Sequence, residues 1–200
     1  MILIKKQDLC SQVLKQFWEY LDVFSEKHAE QMPQRCRWDH KIDPTSDFIP
    51  KKAKKIWLSD TDQKELDKFI TKNLAKEYIC SSDSPQTSPV FFIGKKDRSK
   101  WMVIDYQYLN KYMVKNNYPI PLIGELVDKL KGCNHFTKLD LRLGYTNVCI
   151  REGDEWKTIF TTSGRTYESM VMFFRQTNAL TTFQTMMNKL LQAIAYYKAC

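Results

Sequence analysis

Long apolar runs are absent from this 200-residue sequence, and glycine and proline are scarce, with six and seven residues respectively. Because a membrane span needs about 20 consecutive apolar residues, no transmembrane helix and no membrane partner are expected. The low glycine and proline content, together with 43% hydrophobic residues, argues against a collagen-like or low-complexity chain. A globular chain of this length forms one ordinary domain or two small ones.

The sequence also lacks paired cysteines and metal-binding histidine spacings. Its six cysteines are widely separated, with no Cys-x-x-Cys pair. The first residues contain no apolar stretch long enough for a secretory signal. We therefore expect reduced thiols and an intracellular location, with no distinction between cytoplasm and nucleus. His28, His40 and His135 have no partner at a useful spacing and are interpreted as structural or surface residues.

Positive charge is in excess, with 31 lysines and arginines against 23 acidic residues and a net charge of +8. Residues 1–40 contain six side chains of each sign, so the whole excess lies in residues 41–200. A basic chain suits an anionic partner such as nucleic acid, although a charge that serves solubility would look the same.

Hydrophobic periodicity predicts an α+β fold with a helical lead-in and connector over residues 1–40 and a mixed region over residues 41–200. Helical spacing of apolar residues predicts helices over 7–29, 59–78, 106–112 and 121–132, and a last helix capped by Asn178. Ser59 and Asp62 form a capping-box pattern at the start of the second helix. A β-hairpin is predicted over 90–105, and further strands over 135–141, 146–151, 156–162 and 167–172.

Asp140 is the main candidate for a catalytic residue, because it ends a predicted strand at the start of a glycine-containing turn. Its carboxylate is a candidate metal ligand, and the alternative is a solvated acid or a turn cap. Tyr145, five residues later, is either a packed aromatic or a platform under a sugar or base. The tip of the predicted hairpin carries four cations: Lys95, Lys96, Arg98 and Lys100. These side chains could bind phosphates, although charged turns are also common on protein surfaces.

The order of the segments is more specific than any one of them. The segments are SPVFFIGKKD, IDYQYLNK, NNYPIPLIGELVDKLKG, HFTKLDLRLGY and VMFFRQTNALTTFQTMMNKLL. Their order and separations closely resemble those of reverse transcriptases from gypsy-type LTR retrotransposons. The resemblance covers about residues 35–200 and implies the fingers and the N-terminal half of the palm of an RNA-directed DNA polymerase. The helical start resembles the lead-in to that domain in the Pol polyprotein.

The resemblance implies roles for individual residues. Asp140 matches one of three catalytic carboxylates that hold two Mg²⁺ ions, and the carbonyl of Leu141 matches a further ligand. Lys95 matches a contact to the triphosphate, and Tyr145 matches the residue that lies under the sugar. The implied nucleotide-binding positions are Lys95, Leu141, Leu143, Gly144, Tyr145 and Phe174, and the implied template-primer positions are Asn110 and Gln184. The implied partners are an RNA or DNA template-primer and a deoxynucleoside triphosphate.

The other two carboxylates of the family belong to a Tyr-x-Asp-Asp hairpin that would follow a stretch like AIAYYKAC, at which this sequence ends. One aspartate cannot offset two divalent cations, so we expect the chain as it stands not to polymerise DNA. We also expect poor solubility, because the apolar face of a partial palm is left uncovered. The alternatives are a non-catalytic nucleic-acid-binding remnant of a retrotransposon and a coding sequence that continues beyond Cys200 with the missing Pol segments.

Eight residues depart from the pattern of the family: Arg98, Trp101, Gln107, Cys149, Arg175, Leu180, Thr181 and Gln176. Arg98 and Arg175 stand where glycine is expected, and a side chain there strains a left-handed turn. The first seven can each arise by a single C-to-T or G-to-A transition in a plausible codon, whereas Gln176, in place of leucine, cannot. This pattern suggests the hypothesis of a decayed element copy, which a comparison with the gene of an intact copy would test.

Overall fold

The computed structural model describes residues 14–94, 100–119, 122–128, 130–134 and 140–196. Its helices are α1 (Glu26–Ala29), α2 (Asp60–Leu74), α3 (Gln107–Lys111), α4 (Ile123–Asp128) and α5 (Ala179–Tyr196). Its strands are β1 (Ile79–Ser81), β2 (Ser88–Gly94), β3 (Lys100–Ile104), β4 (Phe160–Thr161) and β5 (Thr166–Ser169). Three 3₁₀ helices cover Lys15–Phe24, Gly144–Asn147 and Glu155–Thr158. Within the described part, no helix is long and apolar enough to cross a membrane.

Helix α2 begins as the sequence predicts. Ser59 has an extended conformation, and its hydroxyl accepts a hydrogen bond from the backbone N–H of Asp62 at 3.3 Å. Leu66 and Ile70, one turn apart, bury the same face of the helix. The helix ends at Leu74 rather than near residue 78, since Glu77 has a φ of 59° and a left-handed residue cannot continue an α-helix.

The five strands form one sheet in the order β1-β5-β4-β2-β3. Strands β2 and β3 form the predicted antiparallel hairpin, with Val90 opposite Ile104, and the tip at residues 95–99 lies outside the described residues. Strand β2 also pairs in parallel with β4 through Ser88 and Phe160. The hairpin therefore shares its first strand with the rest of the sheet.

The hydrophobic core joins segments that are far apart in the sequence. It includes Ile42, which follows the predicted connector, Leu66 from α2, Leu109 from α3 and Phe160 from β4. Helix α5 contributes Ala179, and Phe183 packs against the same cluster. One set of apolar contacts thus joins the sheet, the helices and the segment after the connector.

The strands predicted over 146–151 and 156–162 are largely wrong. Residues 144–147 and 155–158 form 3₁₀ helices, and Cys149 and Ile150 make only isolated bridges. The cause is Asp154, whose buried carboxylate accepts a hydrogen bond from the N–H of Ile42 and bonds to Lys157 and Arg151. These contacts fold residues 151–157 into a compact turn. The predicted strand over 167–172 is observed as Thr166–Ser169, with a bridge at Val171.

Three predicted helix features also differ. The helix predicted over 7–29 is a 3₁₀ helix and the short α1, divided at Ser25, which is extended, and residues 7–13 lie outside the described part. The helix predicted over 121–132 is described only as α4 (Ile123–Asp128), and residues 130–132 form a turn. Asn178 does not cap α5 with its side chain, because that side chain bonds to the backbone of Val114 and Asn116 instead.

Candidate nucleotide-binding site

The loop after Asp140 is held by its own polar groups. Asp140 and Leu141 are exposed and belong to neither a helix nor a strand, and residues 135–139 of the predicted strand lie outside the described part. Leu143 has a left-handed φ of 54°. Its carbonyl accepts hydrogen bonds from the Thr146 hydroxyl at 3.0 Å and from the Asn147 N–H at 3.2 Å. These bonds wind residues 144–147 into a 3₁₀ turn.

Gly144 brings this loop against α5. A Cβ atom at position 144 would lie 3.0 Å from the Cζ atom of Phe183, closer than ordinary van der Waals contact. A side chain at position 144 would therefore require the Phe183 ring to move by a few tenths of an ångström, although the backbone conformation of Gly144 is not left-handed. The contact fixes the next residue, Tyr145, relative to α5.

Four aromatic side chains, Trp101, Tyr145, Phe174 and Phe183, form what we call the aromatic cluster. The ring of Tyr145 stacks on Phe183 with a centroid distance of 5.3 Å and meets Phe174 at 4.7 Å. Trp101 of β3 meets Phe174 edge to face at 5.9 Å. The structure thus brings two predicted nucleotide-binding residues, Tyr145 and Phe174, into contact. Phe174 is 55% exposed, so its ring remains open to a ligand.

Asn110 fixes the turn that follows Phe174. Its side-chain amide donates to the carbonyl of Arg175 at 2.7 Å and accepts from the N–H of Thr177 at 2.8 Å. Arg175 has a φ of 72°, so the arginine occupies a left-handed position of the kind that glycine adopts without strain. The two bonds from α3 hold that conformation in place.

The remaining predicted residues are placed separately. Gln184 lies on α5, where its amide donates to Asn188, whose amide in turn donates to the hydroxyl of Tyr118 at 2.9 Å. Lys95, Lys96 and Arg98 lie outside the described residues, as does His135. Lys100 contacts the carboxylate of Asp62 at 2.5 Å. This hydrogen bond lowers the pKa of Asp62.

A cavity of about 580 Å³ lies beside the aromatic cluster. Trp101, Leu143 and Phe174 line one part of it, and Lys72, Lys76 and Glu30 line another. The cavity therefore combines aromatic surface with charged groups, as sites for ligands with a flat ring and an anionic end do.

Glu30 is the acidic centre of a basic cluster at this cavity, formed by Lys72, Lys76 and Arg142. Its carboxylate lies 2.5 Å from the ammonium of Lys76, 3.2 Å from the guanidinium of Arg142 and 3.8 Å from the ammonium of Lys72. The hydrogen bond from Lys76 lowers the pKa of Glu30, with a further contribution from Arg142, and partial burial opposes them. The sequence analysis missed this group, because Glu30 is 46 residues from Lys76 and no local pattern connects them.

In the described part of the chain, Cys36, Cys80, Cys133 and Cys149 form no disulfide. Cys149 is buried, and its thiol donates to the carbonyl of Pro33 at 3.3 Å. Burial raises the pKa of Cys149 to about 11, so this thiol stays protonated and unreactive at neutral pH.

Asp140 and Leu141 are the predicted ligands of a divalent cation. The Asp140 carboxylate and the Leu141 carbonyl are of the type that Mg²⁺ prefers. Among the residues that the structure describes, however, no group of three or more acidic, histidine or cysteine side chains is placed to hold a metal. The described residues do not complete a magnesium site by themselves.

A family model for reverse transcriptases (RNA-dependent DNA polymerases) matches residues 93–199, which is more than half of the chain. The chain belongs to the reverse transcriptase family. The Tf2-3 transposon polyprotein of Schizosaccharomyces pombe is 31% identical over 174 residues, and the match covers 86% of this chain and 13% of that polyprotein. The Tf2-4 polyprotein gives the same values. This reverse transcriptase chain thus spans about one eighth of the length of these relatives.

Solved structures agree with this assignment at the level of the fold. The protease-reverse transcriptase of prototype foamy virus has a TM-score of 0.72 at 20% identity, over 96% of this chain and 28% of that one. A foamy viral protease-reverse transcriptase in complex with an RNA/DNA hybrid gives 0.66 at 16% identity, over 97% of this chain and 28% of that one. The α+β fold expected of a partial reverse transcriptase is confirmed, and so is the resemblance to reverse transcriptases of LTR retrotransposons.

Proposed function

We propose that this chain forms the fingers and the N-terminal half of the palm of an RNA-directed DNA polymerase. In this role it binds a template-primer and a deoxynucleoside triphosphate but, by itself, extends no primer. The observation that carries the proposal is the contact between Tyr145 and Phe174 at 4.7 Å, at the cavity beside the Asp140 loop.

Each site residue has a distinct task in this proposal. Tyr145 lies under the sugar of the incoming nucleotide, and the exposed ring of Phe174 lines its pocket. The backbone N–H groups of Leu143 and Gly144 contact its phosphates, as Lys95 does from the hairpin. Asn110 and Gln184 act near the template-primer, Asn110 through the turn at Arg175 that it fixes.

Asp140 and the carbonyl of Leu141 would supply two of the oxygen ligands of the Mg²⁺ ions used in primer extension. The remaining ligands would come from the rest of a Pol polyprotein. The chain alone is therefore expected to lack polymerase activity, since the described residues include no complete group of metal ligands.

Primer extension tests the lack of activity directly. The full 200-residue chain is incubated with a primer on an RNA template, Mg²⁺ and deoxynucleoside triphosphates, beside the variant Asp140→Asn. We expect no extension from either protein. Extension by the native chain that disappears in the variant would overturn the proposed inactivity.

Photochemical labelling tests the nucleotide site without requiring activity. A photoreactive deoxynucleoside triphosphate, added with template-primer, is expected to label the segments around Trp101 and Phe174, and unlabelled nucleotide should compete. Tyr145→Ala should weaken this labelling at least several-fold, because the stacked ring is lost. Tyr20→Ala removes an exposed tyrosine of the lead-in and should leave labelling unchanged. Equal effects of the two variants would contradict the site.

The second candidate, a non-catalytic nucleic-acid-binding remnant, is supported by the net charge of +8. It predicts that binding to a template-primer weakens steeply with added salt. It also predicts that any labelling by the photoreactive nucleotide is not reduced by unlabelled nucleotide. The labelling experiment therefore separates the two candidates.

A further inference from the structure

A second cavity, of about 670 Å³, lies at the other end of the sheet from the aromatic cluster, and we call it the polar cavity. Its walls come from β1, β4 and β5 and from the segment before α2, whereas the strands that line the first cavity are β2 and β3. The strand order β1-β5-β4-β2-β3 separates these two groups of strands. Among the residues described, the two cavities have no lining residue in common, so the polar cavity is a separate candidate site.

Positive charge predominates in the lining of the polar cavity. Three of its residues are cations and one is an acid: Lys52, Lys55, Arg165 and Asp83. All four are exposed, and none of them forms an ion pair with another residue in the part of the chain that the structure describes. The charge of the three cations is therefore available to an anionic ligand.

Thr161 of β4 adds a buried hydroxyl to the polar cavity. Phe160, its neighbour in the strand, packs into the hydrophobic core, so Thr161 lies on the opposite face of the sheet. Thr161 is only 8% exposed, and its hydroxyl has no hydrogen-bond partner among the described residues. Because the residue lines the polar cavity, its hydroxyl gains a partner when a ligand with oxygen acceptors fills the space.

The wall that carries Lys52 is held in place by side chains from the loop before β2. The backbone N–H of Lys51 donates to the side-chain carbonyl of Gln86 at 2.8 Å. The N–H of Ala53 donates to the hydroxyl of Thr87, also at 2.8 Å. Two hydrogen bonds, one on each side of Lys52, thus fix the backbone from which its ammonium group extends.

The wall that carries Arg165 is a closed turn. The hydroxyl of Thr162 donates to the carbonyl of Arg165 at 2.7 Å and accepts from its N–H at 3.1 Å. The ammonium of Lys55 donates to the carbonyl of Ser163 at 3.0 Å, which joins this turn to the segment before α2. The polar cavity is therefore preformed, and a ligand would bind without first ordering its walls.

We propose that the polar cavity binds phosphate groups through the cations of Lys52, Lys55 and Arg165 and the hydroxyl of Thr161. No aromatic side chain occurs in its described lining, so the site recognises phosphates rather than the face of a base. The phosphates belong to a nucleic-acid strand or to a free polyphosphate, since both present the same chemistry. The site goes beyond the proposed function, because none of its residues is part of the nucleotide site.

Isothermal titration calorimetry of the full chain with inorganic tripolyphosphate, at constant ionic strength, tests the cations. Lys52→Gln should bind about threefold to tenfold more weakly than the native protein. Lys54→Gln is the matched control, because it removes an exposed lysine of the same segment that does not line the polar cavity. It should change the affinity by less than about twofold. Equal losses in the two variants would mean general charge attraction and would overturn the proposal.

Thr161→Val tests the hydroxyl with little change of side-chain shape. Phosphate binding should weaken about threefold to tenfold, because the ligand loses one hydrogen bond. The urea midpoint of unfolding should stay the same or rise, since the hydroxyl has no partner in the described part of the free protein. Unchanged phosphate affinity, or a loss of stability that accompanies the loss of binding, would contradict the assigned role.

A parallel titration with single-stranded oligothymidylate distinguishes the sources of phosphate. A loss in Lys52→Gln for tripolyphosphate alone assigns the site to free polyphosphates, and a loss for the oligonucleotide assigns it to strand phosphates; both support the site. A loss with neither probe would refute it. If photoreactive nucleotide labelling fails while Lys52→Gln still loses phosphate affinity, the proposed function is wrong and the phosphate site stands.

Discussion

The burial of His40 predicts a loss of stability in mild acid. Its side chain is fully buried, Nδ1 lies 3.0 Å from the Thr182 hydroxyl, and Nε2 has no hydrogen-bond partner in the described part of the chain. Burial lowers the pKa of His40 from 6.5 to about 4, against the opposing charges of Asp154 and Asp43. The folded protein therefore keeps this imidazole neutral at a pH where the unfolded chain binds a proton.

The sign and size of the effect follow from proton linkage. Between pH 6.5 and pH 4 the unfolded state binds more protons than the folded state, so the free energy of unfolding falls as the pH is lowered. Each pH unit is worth about 1.4 kcal/mol, which gives a loss of about 3 kcal/mol by pH 4. The buried Asp154, whose hydrogen bonds from Ile42, Lys157 and Arg151 outweigh burial and lower its pKa, adds a further loss only below pH 4.

Pulse proteolysis in urea measures this loss at protein concentrations low enough to avoid association. The free energy of unfolding of the native chain should fall by about 3 kcal/mol between pH 7 and pH 4. His40→Asn removes the titrating group and keeps a polar atom near Thr182, so its stability should depend much less on pH over this interval. His28→Gln, at an exposed histidine, should retain the native dependence. A native profile that is flat above pH 4, or a His40→Asn profile as steep as the native one, would refute the reasoning.

Three other substitutions, one of them with a matched control variant, test the loop and the exposed surface. Arg175→Gly should raise the free energy of unfolding by about 1 kcal/mol in urea denaturation, because glycine relieves the strain of the left-handed φ; a loss of stability would contradict this. Gly144→Ala should cost about 1–3 kcal/mol through its clash with Phe183. Gly124→Ala, where an added Cβ atom meets nothing within 4 Å, should cost nothing; equal costs would show that packing at 144 is not the cause. Ile123→Glu, at a side chain that is 81% exposed, should reduce self-association in analytical ultracentrifugation, and a native chain that is already monomeric would refute the expectation of poor solubility.

Local signals predicted the parts of the fold that local interactions determine. The Ser59 cap of α2 depends on a hydrogen bond between residues three positions apart, and the sequence shows both partners. The hairpin of β2 and β3 joins strands that are adjacent in the chain. Both elements are observed close to their predicted positions.

Distant contacts determine the parts that the sequence could not predict. The turn at residues 151–157 forms around Asp154, which binds the backbone of Ile42, 112 positions away. The apolar and polar alternation that indicated a strand was outweighed by this buried hydrogen bond. In the same way, the close approach of Gly144 to Phe183, which joins this loop to α5, is a contact that no spacing in the sequence reveals.

The same distinction between local signals and distant contacts applies to the residues of the candidate site. Phe174 was predicted only through the resemblance of whole motifs, whereas Tyr145 was also a candidate from its position after Asp140, and the structure adds that their rings touch. Glu30 and Arg142 escaped prediction because their contact crosses 112 positions of sequence and joins the lead-in to the loop after Asp140. Individual roles for these residues stay predictions until the experiments above are done.

The side chain of Asn110 holds the backbone of the cavity wall beside Phe174. Asn110 of α3 bonds the backbone of Arg175 and of Thr177, on both sides of Gln176, and neither bond involves the side chain of residue 175. An arginine can therefore occupy a position suited to glycine while the backbone of the cavity wall keeps its conformation. Substitutions at position 175 would be tolerated for as long as Asn110 is kept. Loss of the Asn110 amide would let the backbone strain at position 175 destabilise the fold.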